Sequence, residues 1–357
     1  MEKVPAYQVI QKEILLQISD GTLVAGMQLP TEAQLMQQYD VSRITVQRAL
    51  SELKQMGVVV RKRHAGTFVS TDIKLNSILQ SGSNKLTNKT IGVVAPFDMQ
   101  KDNSYSYLNG IMRSISHANL GVSLHNTRYN QEMDSEMLSN CILNGNSGII
   151  YYPGLDSAPP IELLIRIAAE NYPCVLIDKY FPEVNLPCFQ CDNVHAARRM
   201  TAHLIERKHR KILFFSCEKS QPIYERYAGY CNELSAHGME ILPMCFRSKS
   251  ELSESVTAPE NLVREIIDQG VTAVFCATDF MAMILRNVCS NLCIDVPGQL
   301  AIAGFDGVYP GTITSMLQPY DQIGRMAANT LQDWMNTYQA ERTRTMLQAT
   351  LIQGETT

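Results

Sequence analysis

From residue 90 onward, short apolar runs rich in β-branched residues alternate with amphipathic stretches, and that alternation restricts the fold more than any other feature. The runs are TIGVVAP, GVSLHN, SGIIYYP, PCVLID, KILFFS, TAVFCATD and QLAIAGFD. Helix-like segments at 107–117, 133–143, 161–170, 194–207, 224–237, 262–269 and 281–292 follow or separate them. A strand that is apolar on both faces must be covered on both faces, which a parallel sheet flanked by crossover helices provides. Residues 90–357 exceed one comfortable core. Two doubly wound α/β lobes are therefore expected, with ligands in the crevice beyond the carboxyl ends of the strands.

The first seventy residues obey a different pattern. Val9, Ile10, Ile14, Leu15 and Ile18 recur at helical spacing before Asp20-Gly21 closes the run. A second helix is expected after Pro30, where Thr31 and Gln34 make a capping-box pattern. Ser42 is placed to cap a third helix, with Val46, Leu50 and Leu53 inward and Arg43, Thr45, Gln47 and Lys54 outward. VVVRKRHAGTFVS then reads as two strands around a basic turn containing Gly66. Two helices joined by a turn, with polar donors early in the second, suit the major groove, and a basic wing suits phosphate or the minor groove. The residues alone fit equally a small helical domain carrying a solvated charged hairpin.

Charge and composition narrow the function. The net charge is −4, against indiscriminate coating of nucleic acid, yet residues 1–70 hold eight Lys and Arg against six Asp and Glu, with Arg61, Lys62 and Arg63 consecutive. No stretch approaches the roughly 20 apolar residues of a membrane helix, and the charged start is not signal-like, so the cytoplasm is expected and no membrane partner. The ten cysteines lie mostly in apolar runs and read as reduced, buried thiols; Cys188 and Cys191 have CxxC spacing without a second such pair or a nearby CxxH, and the pair Cys289 and Cys293 is read in the same way, as neither a metal nor a redox site. GxGxxG, Walker, HExxH and GxSxG patterns are absent, so neither a cofactor nor catalysis is expected.

Across its N-terminal part the chain resembles the GntR family of DNA-binding domains, most diagnostically at GTLVAGMQLPTE, VSRITVQRAL and the closing GTFV. The resemblance implies DNA contacts from Ser42, Arg43, Thr45, Gln47, Arg63 and Gly66, and Thr31, Arg48, Arg61 and His64 join them as candidates. Ala33 and Gln47 stand where that family often has arginine, and His64 where it often has glycine. Two fewer charges flatten the salt dependence of binding by about one unit of slope per lost phosphate contact. Glutamine pairs with adenine where arginine favours guanine, so a diverged operator is expected.

Residues 90–352 resemble the LacI-type effector domain, itself similar to type I periplasmic sugar-binding proteins. TIGVVAP, PCVLIDKYFP, CDNVHAARRMTAHLIERKHRKILFF, YERYAGYCNEL, TAVFCATDFMAM and VPGQLAIAGFDG carry that likeness in order and spacing. It implies effector contacts from Asp178, Arg226, Thr278 or Asp279, Asp306 and Gln318, with Phe97, Tyr105, Tyr107 and Phe181 covering a ring's apolar face from loops at the cleft. Carboxylates accept from adjacent hydroxyls and a guanidinium donates in a fixed fork, which suits a polyhydroxylated ring. Asp279 has a competing reading as a helix N-cap. Thr278 replaces an asparagine usual in the family, so the hydroxyl pattern bound is expected to differ.

Together these imply a winged helix-turn-helix over 1–70, a linker over 71–89 and a two-lobed domain over 90–357. The expected protein is a DNA-binding regulator, in all a homodimeric repressor on palindromic half-sites, governed by a monosaccharide. A nucleoside or sugar phosphate as effector, and activation instead of repression, remain alternatives.

Overall fold

A computed structural model describes the chain except residues 1–5, 20–21, 25, 56–57, 63–64, 71–88, 98–103, 117, 119, 155–158 and 254–257. Its N-terminal unit comprises α1 (Ala6–Ser19), α2 (Glu32–Tyr39), α3 (Arg43–Gln55) and an antiparallel pair, β1 (Val59–Lys62) and β2 (Gly66–Val69). Thr31 caps α2: its hydroxyl accepts from the Gln34 N–H while the Gln34 side-chain oxygen Oε1 accepts from the Thr31 N–H at 2.8 Å. Asp40 ends α2 in a left-handed turn at φ 49. Ile10 and Ile14 of α1, Leu35 of α2 and Val46, Ala49, Leu50 and Leu53 of α3 close a single core with Val59 and Val69 of the hairpin. The predicted helices and wing are therefore present. The expected linker, with a helical turn at 73–79, lies outside the described residues apart from Lys89, which opens a strand.

The rest divides between two sheets. In the first lobe β3 (Lys89–Ala95), β4 (Leu120–Asn126), β5 (Gly148–Tyr151), β6 (Cys174–Ile177), β7 (Cys188–Cys191) and β13 (Arg344–Leu347) are all parallel, in the order β13-β7-β6-β5-β3-β4. Around it lie α4 (Ser104–Ile115), α5 (Gln131–Leu143), α6 (Ile161–Ala169) and α12 (Tyr320–Thr337). The second lobe orders β14-β12-β11-β10-β8-β9, from β8 (Ile212–Ser216), β9 (Cys245–Phe246), β10 (Ala273–Cys276), β11 (Ala301–Asp306), β12 (Thr314–Leu317) and β14 (Thr350–Ile352); only β14 is antiparallel. Its helices are α7 (Asn193–Glu206), α8 (Gln221–Ala236), α9 (Lys249–Ser253), α10 (Ala258–Asp268) and α11 (Asp279–Asn291).

The chain passes between lobes three times, from the carboxyl ends of β7, β12 and β13, at Asp192, Gln318-Pro319 and Gln348-Ala349. Both sheets consequently direct strand carboxyl ends at the crossovers. Helix α12 locks the first lobe. Its Ile323, Ala327, Leu331 and Trp334 are buried at helical spacing, and a Cβ on Gly324 would run into the Tyr107 carbonyl of α4. Cys188 and Cys191, at odd separation on β7, point to opposite faces: Cys188 packs in the first lobe's core and Cys191 in the second lobe's.

Candidate DNA-reading face and effector cleft

Helix α3 buries Val46, Ala49, Leu50 and Leu53 and leaves Arg43, Ile44, Gln47, Arg48, Ser51 and Lys54 exposed. That division follows from the 3.6-residue period. Glu32, the first residue of α2, organises the exposed side: it accepts from Arg43 Nε at 3.3 Å, Gln47 Nε2 at 3.2 Å and Arg61 Nη2 of β1 at 2.6 Å. Burial alone would raise the Glu32 pKa, but the hydrogen bonds from Gln47 and Arg43 and the Arg61 charge lower it. Sequence reasoning did not single out Glu32, because its role depends on three residues up to 29 positions away.

The other candidates take varied places. Ser42 and Thr45 share a hydroxyl–hydroxyl bond at 2.9 Å. Arg48 donates to Glu52 at 3.0 Å and lies 3.9 Å over the Tyr7 ring, so it is tied to the domain's own surface. Thr31 is occupied in capping α2. Gly66 has φ +111, a conformation open to glycine alone at little cost, and it turns the wing. Arg63 and His64 lie outside the described residues.

In the large domain the geometry gathers a buried polar group around Arg226. Its Nε donates to Asn193 Oδ1 at 3.0 Å and one Nη donates to the Ala277 carbonyl at 2.6 Å and faces Asp306 Oδ1 at 3.3 Å. The guanidinium also lies 3.7 Å over the Phe305 ring. Gln318, on the second crossover, donates from Nε2 to Asp306 at 2.8 Å, while its side-chain oxygen Oε1 is buried without a hydrogen-bond partner. From the first lobe Asp178 joins the group, accepting from the Tyr107 hydroxyl at 3.2 Å. Asp178 follows β6 and Asp306 closes β11, with φ of 70 and 113, conformations costing about 1–3 kcal/mol each for residues other than glycine. Strain of this kind at two strand ends aims two carboxyl groups at one place.

Burial pushes the Asp306 carboxyl up to about 7 and raises Asp178 too, with Arg226 opposing in each case. Burial works against the Arg226 charge, but Asp306 and Asp178 together raise its pKa. The sign for Asp306 follows. An unfolded aspartate loses its proton near pH 4, whereas the folded one holds it to about pH 7. Its contribution to stability therefore declines as pH rises from 4 to 7. Thermal unfolding of wild type and Asp306→Asn across that range should show the variant gaining relative to wild type with rising pH; parallel curves would contradict the assignment.

Three expectations need correction. The N-cap of α11 is Thr278, whose hydroxyl accepts from the Met281 N–H at 3.4 Å, and not Asp279. Asp279 is fully buried inside the second lobe, with its oxygens taken by the Ser315 hydroxyl and the Val308 N–H, both at 2.6 Å. It fastens the start of α11 to the β11–β12 region, a reason for its presence that needs no ligand. Tyr105 and Tyr107 lie on α4 rather than in a loop. Tyr107 is a core residue, edge-on to Tyr152 and Tyr320, that offers only its hydroxyl; Phe181 packs against the first lobe's core. Phe97 and the 41 % exposed Tyr105 form a tilted pair with centroids 5.7 Å apart.

Residues absent from the sequence expectations complete the group. Asn193 divides its amide between Arg226 and Glu225, and Glu225 of α8 meets Arg344 of β13 at 2.5 Å, an ion pair joining the two lobes. Ser220, at the start of α8, has a buried hydroxyl without a partner. Only the adjacency of Glu225 to Arg226 in YERYAGY hinted at any of these.

Residues 6–69 match the bacterial regulatory proteins of the gntR family, and residues 201–357 match a periplasmic binding protein-like domain. The arabinose metabolism transcriptional repressor of Geobacillus stearothermophilus is 26% identical over 340 residues, covering 92% of this chain and 90% of that one. Catabolite control protein A of Priestia megaterium is 26% identical over 304 residues, covering 83% and 90%. A periplasmic binding protein/LacI transcriptional regulator from Alkaliphilus metalliredigens QYMF, solved in complex with D-xylulofuranose, superposes with a TM-score of 0.63 at 20% identity over 76% of this chain and 99% of that one. This last likeness speaks to fold.

Proposed function

This chain joins a GntR-type helix-turn-helix domain to a periplasmic-binding-protein-like domain, and from that premise we propose that it is a transcriptional repressor released from its operator by a sugar. It is a DNA-binding regulator controlled by a small effector, and its relatives are named as a transcriptional repressor of arabinose metabolism and a catabolite control protein. The observation that carries the sugar assignment is the set of Arg226, Gln318 and Asp178, all buried, with the partly exposed Asp306, drawn from both lobes and from a crossover. Two carboxyl groups, one guanidinium and an unpartnered amide oxygen match vicinal hydroxyls, which both donate and accept. The carboxyl groups of Asp178 and Asp306 call for hydroxyl donors, which a phosphate does not present to them, and this favours a free sugar over a sugar phosphate.

The mechanism rests on the crossovers. An effector bridging Asp178 and Arg226 ties the lobes together across three short connections and alters their relative orientation. In a cytoplasmic homodimer, that changes the spacing of two α3 helices on half-sites related by two-fold symmetry. The effector is bound without chemical turnover. Linkage requires effector and operator to weaken each other's binding by the same factor, typically 5- to 150-fold.

Binding-site selection with the full chain, repeated with each of a panel of monosaccharides, tests the proposal. The expected result is an inverted repeat whose affinity one sugar lowers at least about fivefold. Absence of any selected sequence, or an operator affinity untouched by every sugar, would count against it. No described helix is long and apolar enough to cross a membrane.

A further inference from the structure

Ile44 is 78% exposed, more than any other large apolar side chain among the described residues. It is the second residue of α3 and shares the solvent face with Gln47 and Arg48, three and four positions on. The helix does not need it there, since the core of the domain is closed by Val46, Ala49, Leu50 and Leu53. On either side of it Arg43 and Gln47 are both drawn to Glu32, and Arg61 of the wing reaches the same carboxylate. The polar readers are thus held to one edge while an isoleucine projects from the centre of the face. Arg43 and Arg48 of α3 and Arg61 of the wing outnumber Glu32 and Glu52 on this side of the domain, so the surface it projects toward is an anionic one.

The major groove offers one apolar feature to such a side chain, the C5 methyl group of thymine. We infer that Ile44 reads a thymine methyl in each half-site and thereby excludes cytosine at that position. The inference rests on the regulator reading and adds to it an apolar contact that the charged and amide readers cannot supply. It also accounts for a β-branched residue early in an exposed helix face, where side-chain entropy and hydration both disfavour it. Moving one methyl group from water into apolar contact corresponds to about a fourfold change in affinity.

The test replaces each thymine of the selected operator, one at a time, by deoxyuridine, which removes the methyl and nothing else. Full-length wild type and Ile44→Ala are titrated against every substituted duplex. Because Ile44 is exposed and outside the core, the alanine variant retains the fold, and its unmodified melting temperature checks this. The expected result is one thymine per half-site at which wild type loses about fourfold and Ile44→Ala loses nothing. A 5-methylcytosine placed in that position of a cytosine-substituted site should restore part of the wild-type affinity. If uracil costs both proteins the same at every position, or costs wild type nothing, Ile44 reads no methyl, although the regulator reading survives. If wild type selects no sequence, the regulator reading fails as well.

Discussion

Arg226→Ala is expected to abolish the response to effector while operator binding persists. The guanidinium supplies hydrogen bonds to Asn193 and the Ala277 carbonyl and faces Asp306, all inside a site where it is only 4% exposed. Hydrogen bonds to charged groups contribute about 1.5–3 kcal/mol each, so losing the fork that addresses a ligand lowers effector affinity by roughly two orders of magnitude. Truncation also strands Asp306 without its paired cation and removes one of the two cations beside Asp178, and breaking a buried pair costs about 3–5 kcal/mol. Part of that cost is relieved because both carboxyl groups already have raised pKa values and can take up a proton. Melting temperature should fall, with operator affinity in the absence of effector near wild type because α3 and the wing form a separate core. Arg226→Lys should be intermediate, retaining charge without the planar fork. Calorimetric titration of the effector beside operator titration checks this. An alanine variant that binds sugar normally would remove Arg226 from the site.

Much of this arrangement could be read from residues, and the parts that could not share a physical cause. The strands ending in Ile177, Ser216, Cys276 and Asp306 are doubly buried apolar runs, so composition alone marks them. Strands β7, β12, β13 and β14 escaped because CFQC, TSML, RTML and TLI are short and mix polar with apolar residues; they form through pairing with neighbours already in place. Helix α12 is legible in principle, since Ile323, Ala327, Leu331 and Trp334 keep a helical period, although it lies beyond the last of the expected helices. The carboxylates divide in the same way. Asp178 and Asp306 terminate obvious strands, whereas the role of Asp279 is fixed by Ser315 and Val308, contacts no local pattern announces. Glu225 and Arg344, 119 positions apart, are united only by the meeting of the lobes.

Gln47→Arg should exchange the base preference at one operator position from adenine to guanine. Glutamine presents one donor and one acceptor, the pair that adenine N6 and N7 require, and arginine presents two donors, the pair that guanine O6 and N7 require. Each bidentate match is worth about 1–3 kcal/mol of discrimination, so the adenine-to-guanine ratio should reverse by roughly two orders of magnitude between the two proteins. Glu32 sets the terms of the exchange. It now holds Gln47 at 3.2 Å, but Arg43 and Arg61 already direct cations at both of its oxygens. A third guanidinium at position 47 therefore finds its carboxylate occupied and remains available to DNA. It also adds one positive charge, which steepens the salt dependence by about one unit of slope if the new group neutralises a phosphate and leaves it unchanged if the group pairs with a base edge. Selecting binding sites for both proteins, then titrating each site at several salt concentrations, separates those contributions. An unchanged selected site would show that Gln47 turns away from the bases and serves only to brace Glu32.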